Sequence, residues 1–206
     1  TQGSLFLSDD DRETINLGFG HRKLVNDDNL LIGYNLFYDH ELDYDHQRAS
    51  IGIEAISSVG SLRANQYYGL SGWQSGLDSV NEKALDGNDV ELGMPLPYMP
   101  WTNFYLRSFN WEGSDGAADL EGDEISLEAK LSGFNIEVGK RSHDGITEDT
   151  EFLKITWTCC NKKDNEVGIS DTAYNLTSVE DQKFAKVRRQ NLIVKQKEME
   201  LTVIGF

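Results

Sequence analysis

Apolar and polar residues alternate along most of the first 158 positions of this chain. In the stretch TINLGFG, Ile15, Leu17 and Phe19 are apolar and their neighbours are polar or glycine. The same period of two recurs in SIGIEA, at Ile51 and Ile53, and again in ISLEAKL and FNIEVG. Because successive side chains of a β-strand point to opposite faces, this alternation predicts strands with one apolar and one polar face.

Ten segments of this kind are predicted, each rich in β-branched and aromatic residues and bounded by turn-forming residues. They cover residues 4–8, 14–23, 29–38, 48–57, 61–70, 90–96, 102–111, 125–132, 134–140 and 151–158. Several reach about ten residues, the length that a tilted strand needs to cross hydrocarbon. The edge of an open sheet has no water to bond in hydrocarbon, so strands of this length imply a closed barrel.

The connections between these segments alternate between short and long. NDDN, SVGS, PYMPW and SG are short, whereas the long connections are acidic and together carry more negative charge than the chain's net −16. Outer-membrane barrels combine tight periplasmic turns with long external loops. The predicted fold class is therefore all-β, an antiparallel transmembrane up-and-down β-barrel. The alternative is a soluble sandwich, which also alternates but buries its apolar rows between two sheets.

Charged residues lie in mid-strand on the polar face, four acidic and four basic. In a barrel they would line a water-filled lumen with a near-neutral wall, whereas in a soluble protein they would form a solvated strand face. The predicted lumen-facing residues are Glu54, Arg63, Glu91, Arg107, Glu128, Lys130, Glu137 and Lys154.

Five stretches stand in the order in which a known family has them: TINLGFGHRKL, LLIGYNLFYDHEL, HQRASIGIEA, SLRANQYYGLSGW and KFAKVRRQNLIVKQKEMEL. Over about residues 2–201 the chain resembles the β-domain of the intimin and invasin family, the inverse autotransporters. The resemblance implies a barrel of the bacterial outer membrane, usually of twelve strands. It also implies a linker that runs back through the pore to an adhesive passenger exported at the carboxyl end.

By this resemblance, residues 1–160 are the barrel, and residues 161–206 are the pore-threading linker with the start of a truncated passenger. Ten strands in place of twelve, and a first residue other than Met, favour a fragment that lacks its first strands over a short relative. A capping box at Thr177 or Ser178 predicts a short helix. The linker residues expected to thread or plug the pore are Lys183, Lys186, Arg188 and Arg189.

The implied function is to anchor, export and display an adhesin passenger. The alternative is a small porin-like or adhesion barrel whose acidic outer loops bind a ligand. Expected partners are outer-membrane lipid and lipopolysaccharide, the barrel-assembly machinery through the strand EFLKITWT, the chain's own passenger and, through it, a receptor on a host or neighbouring cell. Nucleic acid is excluded, because the chain is acidic and its basic segment lacks interleaved aromatics.

The candidate chemistry is sparse, and no enzyme activity, cofactor or metal site is expected. The stretch YDHELDYDH is interpreted as a solvated outer loop. The alternative is a divalent-cation site with oxygen and imidazole ligands, but the spacing of the residues matches no EF-hand or zinc signature. The residues concerned are Asp39, His40, Glu41, Asp43, Asp45 and His46. GLSGW lacks the pattern of a nucleophile elbow. The triplet Asp9, Asp10 and Asp11 is interpreted as a hydrated loop tip, with divalent bridging to lipopolysaccharide as the alternative. The adjacent Cys159 and Cys160 are read as incidental.

Overall fold

The computed structural model describes residues 1–7, 12–144, 149–157 and 167–198. Asp9–Asp11, Cys159, Cys160, the first residues of the predicted linker and the predicted passenger start from residue 199 onward lie outside these ranges. Ten strands form one antiparallel sheet in which neighbours along the chain are neighbours in the sheet, except that two short strands of the longest loop lie outside it. This is the up-and-down arrangement that the alternation predicts.

Each of the ten predicted segments corresponds to one strand of this sheet. The strands are β1 (Gln2–Leu7), β2 (Glu13–Val25), β3 (Leu30–Glu41), β4 (Gln47–Ser57), β5 (Gly60–Gly69), β8 (Gly87–Leu96), β9 (Met99–Trp111), β10 (Leu120–Leu131), β11 (Phe134–His143) and β12 (Thr150–Trp157). The structure extends β3, β8, β10 and β11 by three to five residues at the ends near the long connections, and it extends β9 by three residues at a short turn. Loops and turns alternate along the sheet as predicted, and Gly133, with φ +75°, completes the turn between β10 and β11.

Three further strands were not predicted. The longest connection contains β6 (Gln74–Ser75) and β7 (Asn81–Ala84), and a segment near the carboxyl end, β13 (Lys195–Lys197), pairs with β7 to complete a second, three-stranded sheet. The predicted short helix is a 3₁₀ turn at Glu180–Phe184. The described residues contain no helix that is long and apolar enough to cross a membrane.

The ten-stranded sheet exposes its apolar face and buries its polar face, which is the reverse of the arrangement in a soluble protein. On β3, Ile32, Tyr34 and Leu36 are 51%, 47% and 48% exposed, whereas the alternate residues Asn35 and Asp39 are 2% and 0% exposed. We call the apolar, exposed side the outer face and the polar, buried side the inner face. A sandwich would bury the apolar rows, so the sandwich interpretation is wrong.

The sheet curls around its inner face. Gln2 of β1 accepts a hydrogen bond from the backbone N–H of Val187 at 3.0 Å, and the next residue, Arg188, donates to Glu137 of β11 at 2.7 Å. In a flat sheet, strands that are eight positions apart would lie about 38 Å from each other. Strands near the two ends of the sheet therefore approach the same short segment, although no pairing joins β1 to β12 among the described residues.

Candidate functional site

The carboxyl-terminal segment, residues 167–198, lies against the inner face, and we call it the tail. It first contacts the end of the sheet where the short turns lie. The backbone N–H of Tyr98, in the β8–β9 turn, donates to the carbonyl of Ala173 at 3.1 Å. Ser58, in the β4–β5 turn, donates through its hydroxyl to the carbonyl of Asn175 at 2.9 Å. The tail is thus bound to two short turns before it enters the concave side of the sheet.

Val179 holds the tail at this entrance. Its N–H donates to the carbonyl of Asp28, in the β2–β3 turn, at 2.8 Å. Its side chain is 3% exposed and packs with Leu31 and Ile56, with Leu24 at the margin. This small apolar cluster fixes the tail against β3 and β4 at the short-turn end.

Arg22 of β2 holds the next part of the tail by its backbone. Its guanidinium donates to the carbonyls of Gln182 at 2.9 Å and Ala185 at 2.5 Å, and it also donates to Glu54 of β4 at 2.5 Å. The carboxylate fixes the orientation of the guanidinium, which leaves its outer N–H groups free for the tail. Recognition here uses backbone carbonyls and does not depend on tail side chains.

Arg188 is the first tail side chain that pairs with the acids of the inner face. Its guanidinium donates to Glu91 of β8 at 2.9 Å and to Glu137 of β11 at 2.7 Å. Its Cζ atom lies 3.7 Å from the ring centroid of Tyr105. Bidentate carboxylate contacts and stacking on an aromatic face use the planar shape of arginine, so a lysine would not replace it.

Arg189 points to the opposite side and pairs with Asp39, which is fully buried. The two distances from its guanidinium to Asp39 are 2.9 and 2.5 Å, and Arg48 of β4 donates to the same carboxylate at 2.9 Å. Arg48 also donates to the carbonyls of Gln190 at 2.7 Å and Leu192 at 3.0 Å. The twin arginines of the tail are therefore held between acids from strands on different sides of the curled sheet.

Beyond the twin arginines, the tail reaches the end of the sheet where the long loops lie. Val194 packs against a second apolar cluster that includes Leu85 and Trp111. Lys195 pairs in register with Ala84, and the side chain of Gln196 accepts from the N–H of Ser114 at 2.8 Å and donates to its carbonyl at 3.2 Å. Two long loops thus hold the tail where it leaves the inner face.

A group of charged residues lies at this outer end, buried except for the partly buried Lys195. We call it the loop-end cluster: Arg12, Glu41, His46, Glu82 and Lys195. Arg12 donates to Glu41 at 3.0 Å and to both carboxylate oxygens of Glu82 at 2.8 and 3.0 Å. Lys195 donates to Glu41. Burial favours the neutral form of Glu82, but the hydrogen bonds from Arg12 and the charge of Lys195 outweigh it and lower the Glu82 pKa.

The interpretation of YDHELDYDH as a solvated loop is wrong for three of its residues. The strand β3 continues to Glu41, so Asp39 and Glu41 lie on the inner face, and His46 is completely buried. The tail and the neighbouring loops cover these side chains, which the local sequence does not reveal. His40 and Asp45 are partly or largely exposed and pair at 2.7 Å, as expected for a loop.

His46 contacts the residue types of a hydrolytic triad, but the geometry is not that of a triad. Its Nδ1 lies 3.3 Å from Ser71 Oγ, and its Nε2 lies 3.7 Å from Glu82 Oε2, which is too long for a hydrogen bond. Ser71 Oγ also accepts from the backbone N–H of Gln47 at 3.2 Å. Burial lowers the pKa of His46, so the imidazole is neutral near pH 7.

The structure places the eight predicted lumen-facing charges on the inner face in one connected network. Arg63 and Arg107 donate to Glu91 at 3.0 and 2.8 Å, and Tyr105 donates to Glu128 at 2.8 Å. The other members are Glu54 beside Arg22, Lys130 beside Glu128, and Lys154 beside Glu137. The Lys154 side chain is 51% exposed, which sets it apart from the buried members.

Of the four predicted linker residues, two are central and two are peripheral. Arg188 and Arg189 form the ion pairs described above. Lys183 and Lys186 are exposed and lie over the rings of Phe184 and Phe6. Sequence reasoning missed Arg22, Asp39, Arg48 and Glu82. The polar positions within apolar alternation, at Arg22 and Arg48, are a signal that could have found two of them.

Comparison with known proteins identifies the family. The family described as "Inverse autotransporter, beta-domain" matches residues 1–191. The chain belongs to this family. Inverse autotransporter β-domains are transmembrane barrels, so the chain is an outer-membrane protein of the intimin and invasin type, from a family of adhesin translocators that are not enzymes.

Individual relatives agree with this assignment. The chain is 30% identical to invasin of Yersinia enterocolitica over 106 residues, 50% of this chain and 12% of that protein. It is 24% identical to the inverse autotransporter adhesin YeeJ of Escherichia coli K12 over 220 residues, 98% of this chain and 9% of that protein. It is 31% identical to intimin of E. coli O111:H- over 56% of this chain and 12% of that protein. The chain therefore spans only a small part of these relatives.

A solved structure has the same fold. A chain from a study of the in-meso crystallization of membrane proteins superimposes with a TM-score of 0.72 at 20% identity, over 92% of this chain and 82% of the other. The resemblance at this identity concerns the fold alone. It agrees with the curled, antiparallel sheet described here.

Proposed function

We propose that this inverse autotransporter β-domain anchors the chain in the outer membrane and that the tail is the linker to an exported passenger, with residues 1–160 as the barrel. The observation that carries the proposal is the path of the tail. It begins at the short turns, passes Arg22, pairs at Arg188 and Arg189, and leaves between the long loops. A segment that crosses the inner face from end to end is positioned to connect the two sides of the membrane.

The inner face would then be the wall of the lumen. The charged inner face of a barrel in a membrane needs water or oppositely charged partners, because an unpaired buried charge is costly. The tail supplies such partners to Glu91, Glu137 and Asp39 through its twin arginines, and to Glu41 through Lys195. The eight mid-strand charges hold one another and the tail in place and carry out no bond chemistry.

The outer face would contact lipid. On the last strand, Leu153, Ile155 and Trp157 are 64%, 64% and 68% exposed. This alternating apolar row makes β12 the strand that we expect the barrel-assembly machinery to recognise. The short turns would face the periplasm and the acidic loops the exterior, where they meet lipopolysaccharide, and the passenger would present the receptor-binding surface.

Single-channel conductance in planar bilayers tests whether the tail occupies the pore. The double variant Arg188→Gln/Arg189→Gln removes the central ion pairs, and we expect larger or more frequent openings than in the unmodified protein. Lys183→Gln/Lys186→Gln removes the same charge from exposed positions of the tail and should leave conductance unchanged. Equal conductance of all three proteins, together with no change on deletion of residues 161–206, would contradict plugging and favour the porin-like alternative.

Surface labelling tests the direction of the tail. An epitope placed after Phe206 should bind antibody on intact cells, because the tail leaves the inner face among the long loops. The same epitope inserted between Ser58 and Val59, in a short turn, should become accessible only after the outer membrane is permeabilised. The reverse result would invert the orientation proposed here.

A further inference from the structure

The loop-end cluster contains three groups that bind transition metals in other proteins. One ligand atom from each of Glu41, His46 and Glu82 lies within 4.8 Å of the other two, and all three residues are buried. Ligand atoms around a tetrahedral zinc ion, with bonds of about 2.0–2.1 Å, lie about 3.3 Å apart. Small rotations of the two glutamate side chains would bring the three ligand atoms to the spacing that zinc requires. The sequence brought Glu41 and His46 together in one stretch but did not indicate Glu82, because Glu82 comes from a different loop.

The imidazole of His46 has one nitrogen available to bind a metal ion. Its Nε2 is buried and has no hydrogen-bond partner among the described residues. The other nitrogen, Nδ1, lies 3.3 Å from Ser71 Oγ, so its N–H can donate a hydrogen bond to the hydroxyl oxygen. This tautomer leaves the Nε2 lone pair free and pointing towards Glu82. A metal-binding histidine usually has such an arrangement, with its second nitrogen fixed by an outer hydrogen bond.

Lys195 occupies the position that a bridging cation would take. Its ammonium group contacts Glu41 Oε2 and lies 3.8 Å from Glu82 Oε2. Arg12 binds Glu41 through Oε1 instead, so Glu41 Oε2 is held by Lys195 and not by Arg12. Without the ammonium group, two buried carboxylates would face Arg12 as their only buried counter-ion in the described cluster, a net charge of −1.

We propose that Glu41, His46 and Glu82 form a binding site for a divalent transition metal, of which Zn²⁺ is the best match, and that Lys195 of the tail competes with the metal for it. Zinc accepts both imidazole nitrogen and carboxylate oxygen as ligands, and three protein ligands leave a fourth tetrahedral position open. Calcium and magnesium prefer oxygen ligands alone. Metal binding and the contact of the Lys195 ammonium group with these carboxylates then oppose each other, so each weakens the other by the same factor.

This inference does not depend on the proposed linker function. It requires only that Lys195 lies between the two carboxylates, whichever side of the membrane the tail reaches. A failure of the conductance or labelling experiments would leave it intact, and its own failure would leave the path of the tail intact.

Titration of the full chain in detergent with Co²⁺ and Zn²⁺ tests the site. Lys195→Met removes the competing charge and keeps a side chain of similar length. We expect this variant to bind one Co²⁺, with the visible absorption of a four-coordinate ion and displacement by Zn²⁺, at least tenfold more tightly than the unmodified protein. Equal affinity of the two proteins, or no stoichiometric binding by the variant, would overturn the proposal.

Two histidine variants in the Lys195→Met background identify the ligand. His46→Gln should abolish tight Co²⁺ binding, whereas His40→Gln, in the exposed pair with Asp45, should leave it unchanged; the opposite pattern would refute the assignment. If His46→Gln prevents folding, the Co²⁺ complex of Lys195→Met still gives an answer. It should show one exchangeable imidazole N–H signal shifted far outside the diamagnetic proton range, and its absence would also refute the assignment.

Discussion

The outer and inner faces of the same strands follow opposite rules. On β4, Ile51 and Ile53 of the outer face are 45% and 63% exposed, whereas Ser50 and Glu54 of the inner face are each 5% exposed. In water the stable arrangement is the reverse, because apolar burial is the main driving force of folding. A lipid environment removes the penalty for the outer rows, and the tail and paired charges satisfy the inner face. The same strand can therefore place apolar side chains against lipid and charged side chains in a polar interior.

The largest loss of stability is expected from a substitution on the inner face. Asp39→Ala removes the shared carboxylate of Arg48 and Arg189, whose side chains are 0% exposed. Two unpaired buried guanidinium groups should lower the free energy of unfolding by about 3–5 kcal/mol. Urea titration of the reconstituted barrel measures the change. Asp45→Ala, in the exposed loop pair, is the control and should be indistinguishable from the unmodified protein.

A charge on the outer face should have the next largest effect. Ile53→Arg places a guanidinium in mid-strand against lipid, which costs about 2–4 kcal/mol near the centre of a bilayer. Ile53→Leu keeps the apolar surface and should change the unfolding free energy little. The same urea titration applies, with heat-modifiable migration on gels as a check of folding. Full tolerance of the arginine would mean that Ile53 faces water, and the contrast between the faces would fail.

Removal of a single tyrosine hydroxyl on each face compares the two faces by the same chemical change. Tyr105→Phe removes the hydroxyl that donates to Glu128 at 2.8 Å but keeps the ring beneath Arg188. We expect a loss of about 1–2 kcal/mol, because the hydrogen bond involves a buried carboxylate. Tyr34→Phe, on the outer face and 47% exposed, should change stability by less than about 0.5 kcal/mol. Equal losses for both variants would show that the hydroxyls do not distinguish the faces.

The smallest change in stability is expected from a substitution at the edge of the outer face. Lys140 pairs with Asp149 at 2.7 Å, with side chains 54% and 44% exposed. Exposed ion pairs are screened by water and salt, so Lys140→Ala should leave unfolding unchanged at physiological salt. Unfolding curves recorded at low and high salt check this. A loss of stability that persists at high salt would indicate that the pair lies in a less polar environment than its exposure suggests.

The local pattern of the sequence was sufficient for the strands and their faces. Alternation at Ile51, Ile53 and Glu54 fixes which side chains share a face, because the pleat of a strand has a period of two. The order of short and long connections fixed the up-and-down topology. The strand ends were less accurate: the predicted end of β3 at Tyr38 missed its last three residues, since polar inner residues such as Asp39 and Glu41 look like the start of a loop.

Which acids of the inner face pair with the tail was decided by the tertiary structure alone. Asp39 is buried because Arg189, 150 positions away, pairs with it, and Glu82 meets Lys195 because β13 adds to β7. Contacts between residues so far apart leave no periodic signal in the sequence, since they depend on how the sheet curls and where the tail runs. The sequence thus determined a barrel with a charged interior, and only the fold determined which charges the tail neutralises.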